Sequence, residues 1–252
     1  MKDYTYRINN QTPGEKKRFV RHLFDDIVPT YDLLNHVLSF GTDILWRNNI
    51  FNQIQNIKNK TVIDLACGTG DLSRLLARRG AKAVSLDFSL AMLKAGIRKK
   101  AIQHLAVAAD ACRLPFPDKA FTVATIAFGI RNIPDLDVFM AETFRVLAPG
   151  GELAILELTR PENRLIRLGY TFYLTRLLPL IGGLVSGHRQ AYRYLAESIA
   201  TFIKPTDISD MLKRHGFATV RRIPQCFGVA AIIVARKEGH DAAESCVFPL
   251  SQ

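Results

Sequence analysis

One stretch constrains the fold of this chain more than any other. It runs Thr61-Val62-Ile63-Asp64-Leu65-Ala66-Cys67-Gly68-Thr69-Gly70-Asp71, and Ser85-Leu86-Asp87 follows a short way on. The pattern is an apolar strand, a glycine turn, a helix start and then a second strand that stops on a carboxylate. A nucleoside fits such a unit, its ribose held at Asp87 and the rest of the ligand crossing the glycine turn.

The same alternation continues along the chain. Apolar runs predict strands at 61–66, 82–87, 104–109, 120–128 and 150–158, each apolar enough to be buried on both faces as parallel strands are. Helices are expected over 71–79, 89–100 and 135–147, with Ser89 as an N-cap and Pro134-Asp135 as a helix start. Pro149-Gly150-Gly151 should end the third of these and turn into the fifth strand. Near the C-terminus, Thr206 to His215 predicts a helix stopped by Gly216. Two strands at about 217–224 and 227–235 then lie close enough in sequence to pair antiparallel. The expected architecture is α/β: a Rossmann-like, doubly wound, seven-stranded and mostly parallel sheet. It carries a helical N-terminal extension at 1–59, a core domain at 60–237 with a lid inserted at about 160–200, and a tail at 238–252 expected to be disordered.

With 252 residues, 48% of them hydrophobic, the chain can bury a full core as one large domain. No apolar run reaches the roughly 18 to 20 residues of a membrane span. The start, Met1-Lys2-Asp3-Tyr4-Thr5-Tyr6-Arg7, lacks the apolar segment of a secretory signal. Cys67, Cys112, Cys226 and Cys246 have no paired spacing, which points to neither a metal site nor a disulfide framework. A cytoplasmic enzyme with reduced thiols is expected, with Cys67 filling space in the turn rather than acting as a nucleophile.

The ligand can be narrowed further. Rossmann dinucleotide sites carry a third glycine so that a pyrophosphate can sit on the helix N-terminus. Here Gly68-Thr69-Gly70 continues into Asp71-Leu72-Ser73-Arg74 instead. An aspartate at the helix start complements the helix dipole itself and disfavours an anionic ligand. A cationic or zwitterionic ligand suits Asp64 and Asp71 better, and S-adenosylmethionine is one. The alternative is an ordinary βα turn that binds nothing. Against it, Asp64, Asp87 and Asp110 fall on three consecutive strand ends, where open α/β sheets bind their substrates. Asp110 can accept the adenine amino group while Ala111 offers a backbone amide. Two more segments end strands: Phe128-Gly129-Ile130-Arg131-Asn132 and Glu157-Leu158-Thr159.

Net charge of +11 raises the question of nucleic acid or membrane. Residues 160–223 hold 11 basic side chains against 4 acidic, so most of the excess lies away from the glycine turn. Arg160, Arg164 and Arg167 fall on one helical face there, among Leu165, Ile166, Leu168, Tyr170, Phe172 and Tyr173. Such a segment can cap an apolar pocket or rest on anionic lipid; the alternative is an ordinary helix packed on the core. Aromatic platforms in a basic groove are not evident, and no nucleic-acid partner is expected.

At this point a family resemblance enters. Asp64-Leu65-Ala66-Cys67-Gly68-Thr69-Gly70-Asp71 resembles motif I of the class I S-adenosylmethionine-dependent methyltransferases. A narrower resemblance, over residues 17–237, is to the UbiE/MenG family, the C-methyltransferases of ubiquinone and menaquinone biosynthesis. It rests on Phe24 to Asn35, Leu114-Pro115-Phe116-Pro117-Asp118, Ile126 to Asn132, Arg145 to Gly151 and Ala191 to Ile199. The resemblance implies a methyltransferase domain at 60–237 whose cofactor is S-adenosyl-L-methionine. Gly68, Thr69 and Gly70 would lie along its methionine part, Asp87 would take its ribose, and Asp110 with Ala111 its adenine; Asp64 is a further cofactor-binding candidate. Ala127 stands where the family has a small residue before Phe-Gly. The implied acceptor is a polyprenylated quinol: demethylmenaquinol, with 2-polyprenyl-6-methoxy-1,4-benzoquinol as the alternative.

Attack by a ring carbon on a sulfonium methyl calls for alignment and for a neighbouring hydroxyl that has lost its proton. Arg131 is the candidate for stabilising that phenolate, its guanidinium being too strongly protonated to act as a base. His36, His188, Tyr192 and Tyr194 are further candidates. The lid is expected to make peripheral contact with an anionic membrane surface, and a homo-oligomer is compatible with the sequence. The chain departs from the family pattern at Ile44, where a basic residue is usual, and at Ala196, where proline is; both concern the acceptor side. A non-catalytic subunit that keeps the fold is the remaining alternative, and the intact acidic and glycine positions argue against it.

Overall fold

A computed structural model of the protein describes residues 13–28, 30–180 and 189–239. Three helices come first: α1 (Pro13–Ile27), α2 (Tyr31–Leu38) and α3 (Thr42–Ile50). The sheet follows, with β1 (Thr61–Leu65), β2 (Lys82–Asp87), β3 (Ala106–Ala108), β4 (Phe121–Ala127) and β5 (Leu147–Leu158) joined through α4 (Asp71–Arg78), α5 (Leu90–Arg98) and α6 (Leu136–Val146). After β5 come α7 (Arg164–Phe172), a π-helical turn at Tyr173–Leu177, α8 (Arg189–Thr201) and α9 (Pro205–Arg214). The chain closes the sheet with β6 (Phe217–Gln225) and β7 (Ala230–Lys237). No helix among the described residues is long and apolar enough to cross a membrane.

The seven strands lie in the order β3-β2-β1-β4-β5-β7-β6. Every pair from β3 to β5 is parallel, and β7 is antiparallel to both its neighbours. Reversal of order beside β1 opens a crevice outside the carboxyl ends of β1 and β4, where sheets of this kind bind ligands. Ser89 and Asp135 cap α5 and α6 as expected, accepting from the Met92 and Val138 amides at 3.2 and 3.0 Å.

Three boundaries differ most from the sequence expectation, one of them at β7, which starts at Ala230 rather than about 227 because a 3-10 turn occupies Cys226–Gly228. Strand β3 keeps only three residues because it is an edge, paired to β2 alone. Strand β5 begins at Leu147 rather than after Gly150. Leu147 pairs with Phe121, and a register shift before Val123 takes up the Pro149-Gly150-Gly151 kink inside the strand. Gly150 there has φ of 72°, so what reads as a turn is an irregular strand start.

Burial divides the core into three. Phe139, Met140, Ile208 and Leu212 from α6 and α9 pack on one face of the sheet. Trp46 and Ile50 of α3 join Leu72 and Leu76 of α4 on the other. The third cluster stands off the sheet: Val20, Leu23 and Ile27 of α1 against Leu174, Leu178, Tyr194 and Ile199 of the lid segment. Each fully buried side chain of this size contributes about 1.5–3 kcal/mol. The N-terminal helices and the lid therefore hold each other in place over the crevice.

Candidate active site

The crevice at the strand ends holds a first cavity. Gly68 and Ala66 line it from the β1 turn, Asp87 from the end of β2, Asp110 and Ala111 from the end of β3, and Ala127 from the end of β4. Six of the sequence candidates or their immediate neighbours are thus brought together by adjacent strands. The Asp87 carboxylate is oriented by two backbone amides, Gly68 N–H to Oδ2 and Ser89 N–H to Oδ1, each at 2.8 Å. Burial raises its pKa to about 6, against the pull of those amides. Asp110 Oδ1 accepts from the Cys112 amide at 2.9 Å. Neither lysine nor arginine is among the lining residues. Two carboxylates and no cation make a set of acceptors for the hydroxyls and amino group of a nucleoside, and a poor site for a pyrophosphate. S-adenosylmethionine fits it.

Other sequence candidates sit beside this cavity without lining it. Asp64 is buried beneath the turn, where Ser73 and Thr125 donate their hydroxyls to it at 2.6 and 2.8 Å. Burial lifts its pKa to about 6 as well, opposed by those two bonds. Gly70 takes φ of 85°, and a Cβ there would meet Ile102 at 2.6 Å, so both conformation and space demand glycine. The Cys67 thiol is pushed well up by burial and by Asp87 and Asp64, which leaves little thiolate.

Thr69, Asp71 and the N-terminal helices form a clasp. Lys99, just past α5, donates to Asp32 of α2 at 2.5 Å, to Asp71 at 2.9 Å and to Thr69 at 3.0 Å. Thr69 in turn donates to Asp32 at 2.5 Å. His36 reaches Asp43 at 2.8 Å, and Asp43 is ion-paired to Arg47 and accepts from Ser39 at 2.7 Å. The negative charge of Asp71 is thus met within the protein by Lys99, rather than left for a ligand. A second tie joins α1 to the Asp87 loop, Ser89 donating to Asp25 at 2.5 Å. These ties set the Tyr31 ring against Gly68, so that α1 and α2 roof the first cavity with Val20, Phe24 and Tyr31.

A second cavity, of about 430 Å³, adjoins the first. Phe24, Tyr31, Phe128 and Asn132 line both. Its walls come from α1, from α3 with Trp46 and Arg47, and from the lid with Tyr170, Tyr173, Leu174, Leu178 and Tyr194. Phe128 stands at the junction with φ of 59°, an unusual conformation for a bulky side chain. Arg47 lies over its ring at 5.0 Å and Trp46 packs beside it. Next along, Gly129 has no room for a side chain, its Cβ position being 2.8 Å from Ala66.

Arg131 lines this second cavity and is ion-paired to Glu157, which is buried behind it at the end of β5. Burial raises the Glu157 pKa and Arg131 opposes that rise. The guanidinium is also close enough to Tyr31 and Tyr170 to oppose the rise that burial gives both phenols. Of the other acceptor-side candidates, Tyr194 donates to Asn132 at 3.0 Å and lines the cavity, while His36 belongs to the clasp. His188 and the Tyr192 side chain lie outside the described residues. The sequence reading missed Tyr31, Asp32 and Lys99 as site residues. The signal for the first two was their place in the Phe24–Asn35 segment; none marked Lys99.

A sheet of this order with a carboxylate-lined nucleoside cradle defines a class I S-adenosylmethionine-dependent methyltransferase. A solved S-adenosylmethionine-dependent methyltransferase from Thermotoga maritima shares the fold, with a TM-score of 0.63 at 16% identity over 86% of this chain and 99% of its own. The profile of the ubiE/COQ5 methyltransferase family matches residues 11–237, and the chain belongs to that family. The demethylmenaquinone methyltransferase of Thermus thermophilus is 46% identical, over 84% of this chain and 98% of the relative. The ubiquinone/menaquinone biosynthesis C-methyltransferase UbiE of Geobacter sulfurreducens is 39% identical, over 88% and 90% respectively.

Proposed function

We propose that this enzyme methylates a ring carbon of a polyprenylated quinol, demethylmenaquinol first, with S-adenosylmethionine as donor. The observation that carries the reading is the second cavity, large, mostly apolar and adjoining the donor cavity, with which it shares Phe24, Tyr31, Phe128 and Asn132. A naphthoquinol head placed there would meet the donor at that junction while its isoprenoid chain ran between α1 and the lid. The names of the two family relatives support the quinol, and the Geobacter sulfurreducens name keeps the methoxybenzoquinol as a second reading.

Bound S-adenosylmethionine supplies an electrophilic methyl on an excellent leaving group. What remains for the chain's residues is placement, exclusion of water and control of one proton. Asp87 would hold the ribose hydroxyls, Asp110 and Ala111 the adenine edge, and the Gly68-Thr69-Gly70 turn over Asp64 would let the methionine part pass close to the backbone. Ala127, small and half-buried, would leave room for it. Arg131 would stabilise the acceptor's phenolate, its own geometry held by Glu157.

Membrane contact belongs to the same reading. On α7, Leu165, Leu168 and Phe172 are 82%, 69% and 59% exposed, among the exposed Arg160, Arg164 and Arg176. An apolar face with a basic rim suits an anionic lipid surface, from which a lipid-dissolved quinol could pass beneath the lid. The direct test is an assay of the purified enzyme with S-adenosylmethionine and each of the two reduced quinols, following the methylated product by mass. Methylation of demethylmenaquinol is expected; turnover of neither quinol would sink the proposal.

A further inference from the structure

Helix α7 presents almost its whole length to solvent and buries no residue fully. Tyr170 is half-buried, and its side chain alone on α7 lines the second cavity, Gly169 adding only backbone. Two other tyrosines of that cavity are engaged: Tyr194 with Asn132, and Tyr31 with Asn35. The Tyr170 hydroxyl makes no hydrogen bond to the described residues, although it stands within the electrostatic reach of Arg131, Glu157 and Tyr173. A polar group turned into an apolar cavity without a protein partner costs about 1–3 kcal/mol unless a ligand or water satisfies it. Beside Arg131, the ligand that would satisfy it is an oxygen carrying negative charge.

Resting on the quinol reading above, we infer that the Tyr170 hydroxyl is the lid's own contact with the acceptor, donating a hydrogen bond to the ring oxygen that becomes phenolate. Burial pushes this phenol's pKa upward, so it stays protonated at neutral pH and serves as a donor, never as the base. Arg131 reaches the cavity from the sheet and Tyr170 from the lid, so a displaced lid leaves the phenolate with one partner fewer. The ring carbon then becomes nucleophilic only when the acceptor is covered.

Tyr170→Phe keeps the ring and removes only the hydroxyl. The expected result is a kcat lower by roughly 100-fold, an unchanged affinity for S-adenosylmethionine by calorimetry, and a rising limb of the kcat–pH profile moved to higher pH. Binding of a short-chain naphthoquinol, read by quenching of Trp46, the chain's one tryptophan and part of the same cavity, shows that the acceptor site is still formed. A variant with wild-type kcat and pH profile overturns the inference. So does one that loses cofactor binding or cooperative unfolding, since the side chain would then be structural. Wild-type enzyme that methylates neither quinol removes the functional reading itself, and this inference with it.

Discussion

The donor cavity, beneath its α1–α2 roof, takes its floor from loops that leave neighbouring strands of one sheet, whereas the acceptor cavity takes its walls from helices and turns that span Leu23 to Val229. In the first, the backbone does much of the holding: amides of Gly68 and Ser89 fix Asp87, and that of Cys112 fixes Asp110. In the second, side chains do, largely from the hydrophobic cluster of α1 and the lid, which meets one of the sheet's two cores at Leu158. A site made of strand ends is as rigid as the sheet. One made between helices can open, which suits a substrate with a long chain. Substitutions should therefore separate into two groups with little crossover.

The largest effect is expected from Asp87→Ala. Losing the carboxylate would remove the proposed ribose contacts and free the Gly68 amide, for about 3 kcal/mol, or roughly 100-fold in S-adenosylmethionine affinity by calorimetry. Naphthoquinol binding read at Trp46 should be unaffected; parallel loss of both would break the separation. A smaller effect, on the other side, is expected from replacing Leu165, Leu168 and Phe172 together with serine. Flotation with anionic vesicles should fall by roughly tenfold, with cofactor affinity unchanged. Equal and negligible flotation of wild type with and without anionic lipid would remove the membrane contact.

The third effect is graded and comes from pH. Asp64 and Asp87 both have pKa values raised to about 6 from 3.8. The folded, ligand-free protein holds protons that the unfolded chain has released, so this contribution to stability is full below 3.8 and lost as pH rises through about 6. Cofactor affinity should run the opposite way, because in the proposed role ionised Asp87 would accept the ribose hydroxyls. It should weaken by up to tenfold per pH unit below about 6. Thermal unfolding with and without S-adenosylmethionine between about pH 5 and 8 reads both trends. A cofactor-induced shift in Tm that does not grow with pH would count against Asp87 as the ribose ligand.

The contrast also decides what could be read in advance. Each donor loop announces itself within about ten residues, as an apolar run followed by glycine or aspartate, and the strand order follows from the alternation. The structure moves only edges: β3 shortens because it has one neighbour, and β5 starts early because a bulge absorbs its glycines. On the acceptor side the local pattern marks apolar helix faces and basic residues but not which tyrosine turns inward. His36 looked like a candidate for the site, yet it is held by Asp43 seven residues away in the chain. Tyr170 stood unmarked in a run of similar residues, and the lid's orientation toward α1 alone selects it. Lys99 lies 67 residues from Asp32 and 28 from Asp71, separations that no local period encodes.

That lysine has a consequence for anyone who would recombine these enzymes. A chimaera joined near residue 60 would appear to exchange a helical preamble for another and leave the catalytic domain whole. In fact the seam would sever Asp32 from Lys99 and Thr69, Asp25 from Ser89 and Tyr31 from Gly68. Those contacts must be inherited as one block. The functional unit begins well before the first strand, and a graft should carry α1 to α3 together with the 66–71 turn and position 99.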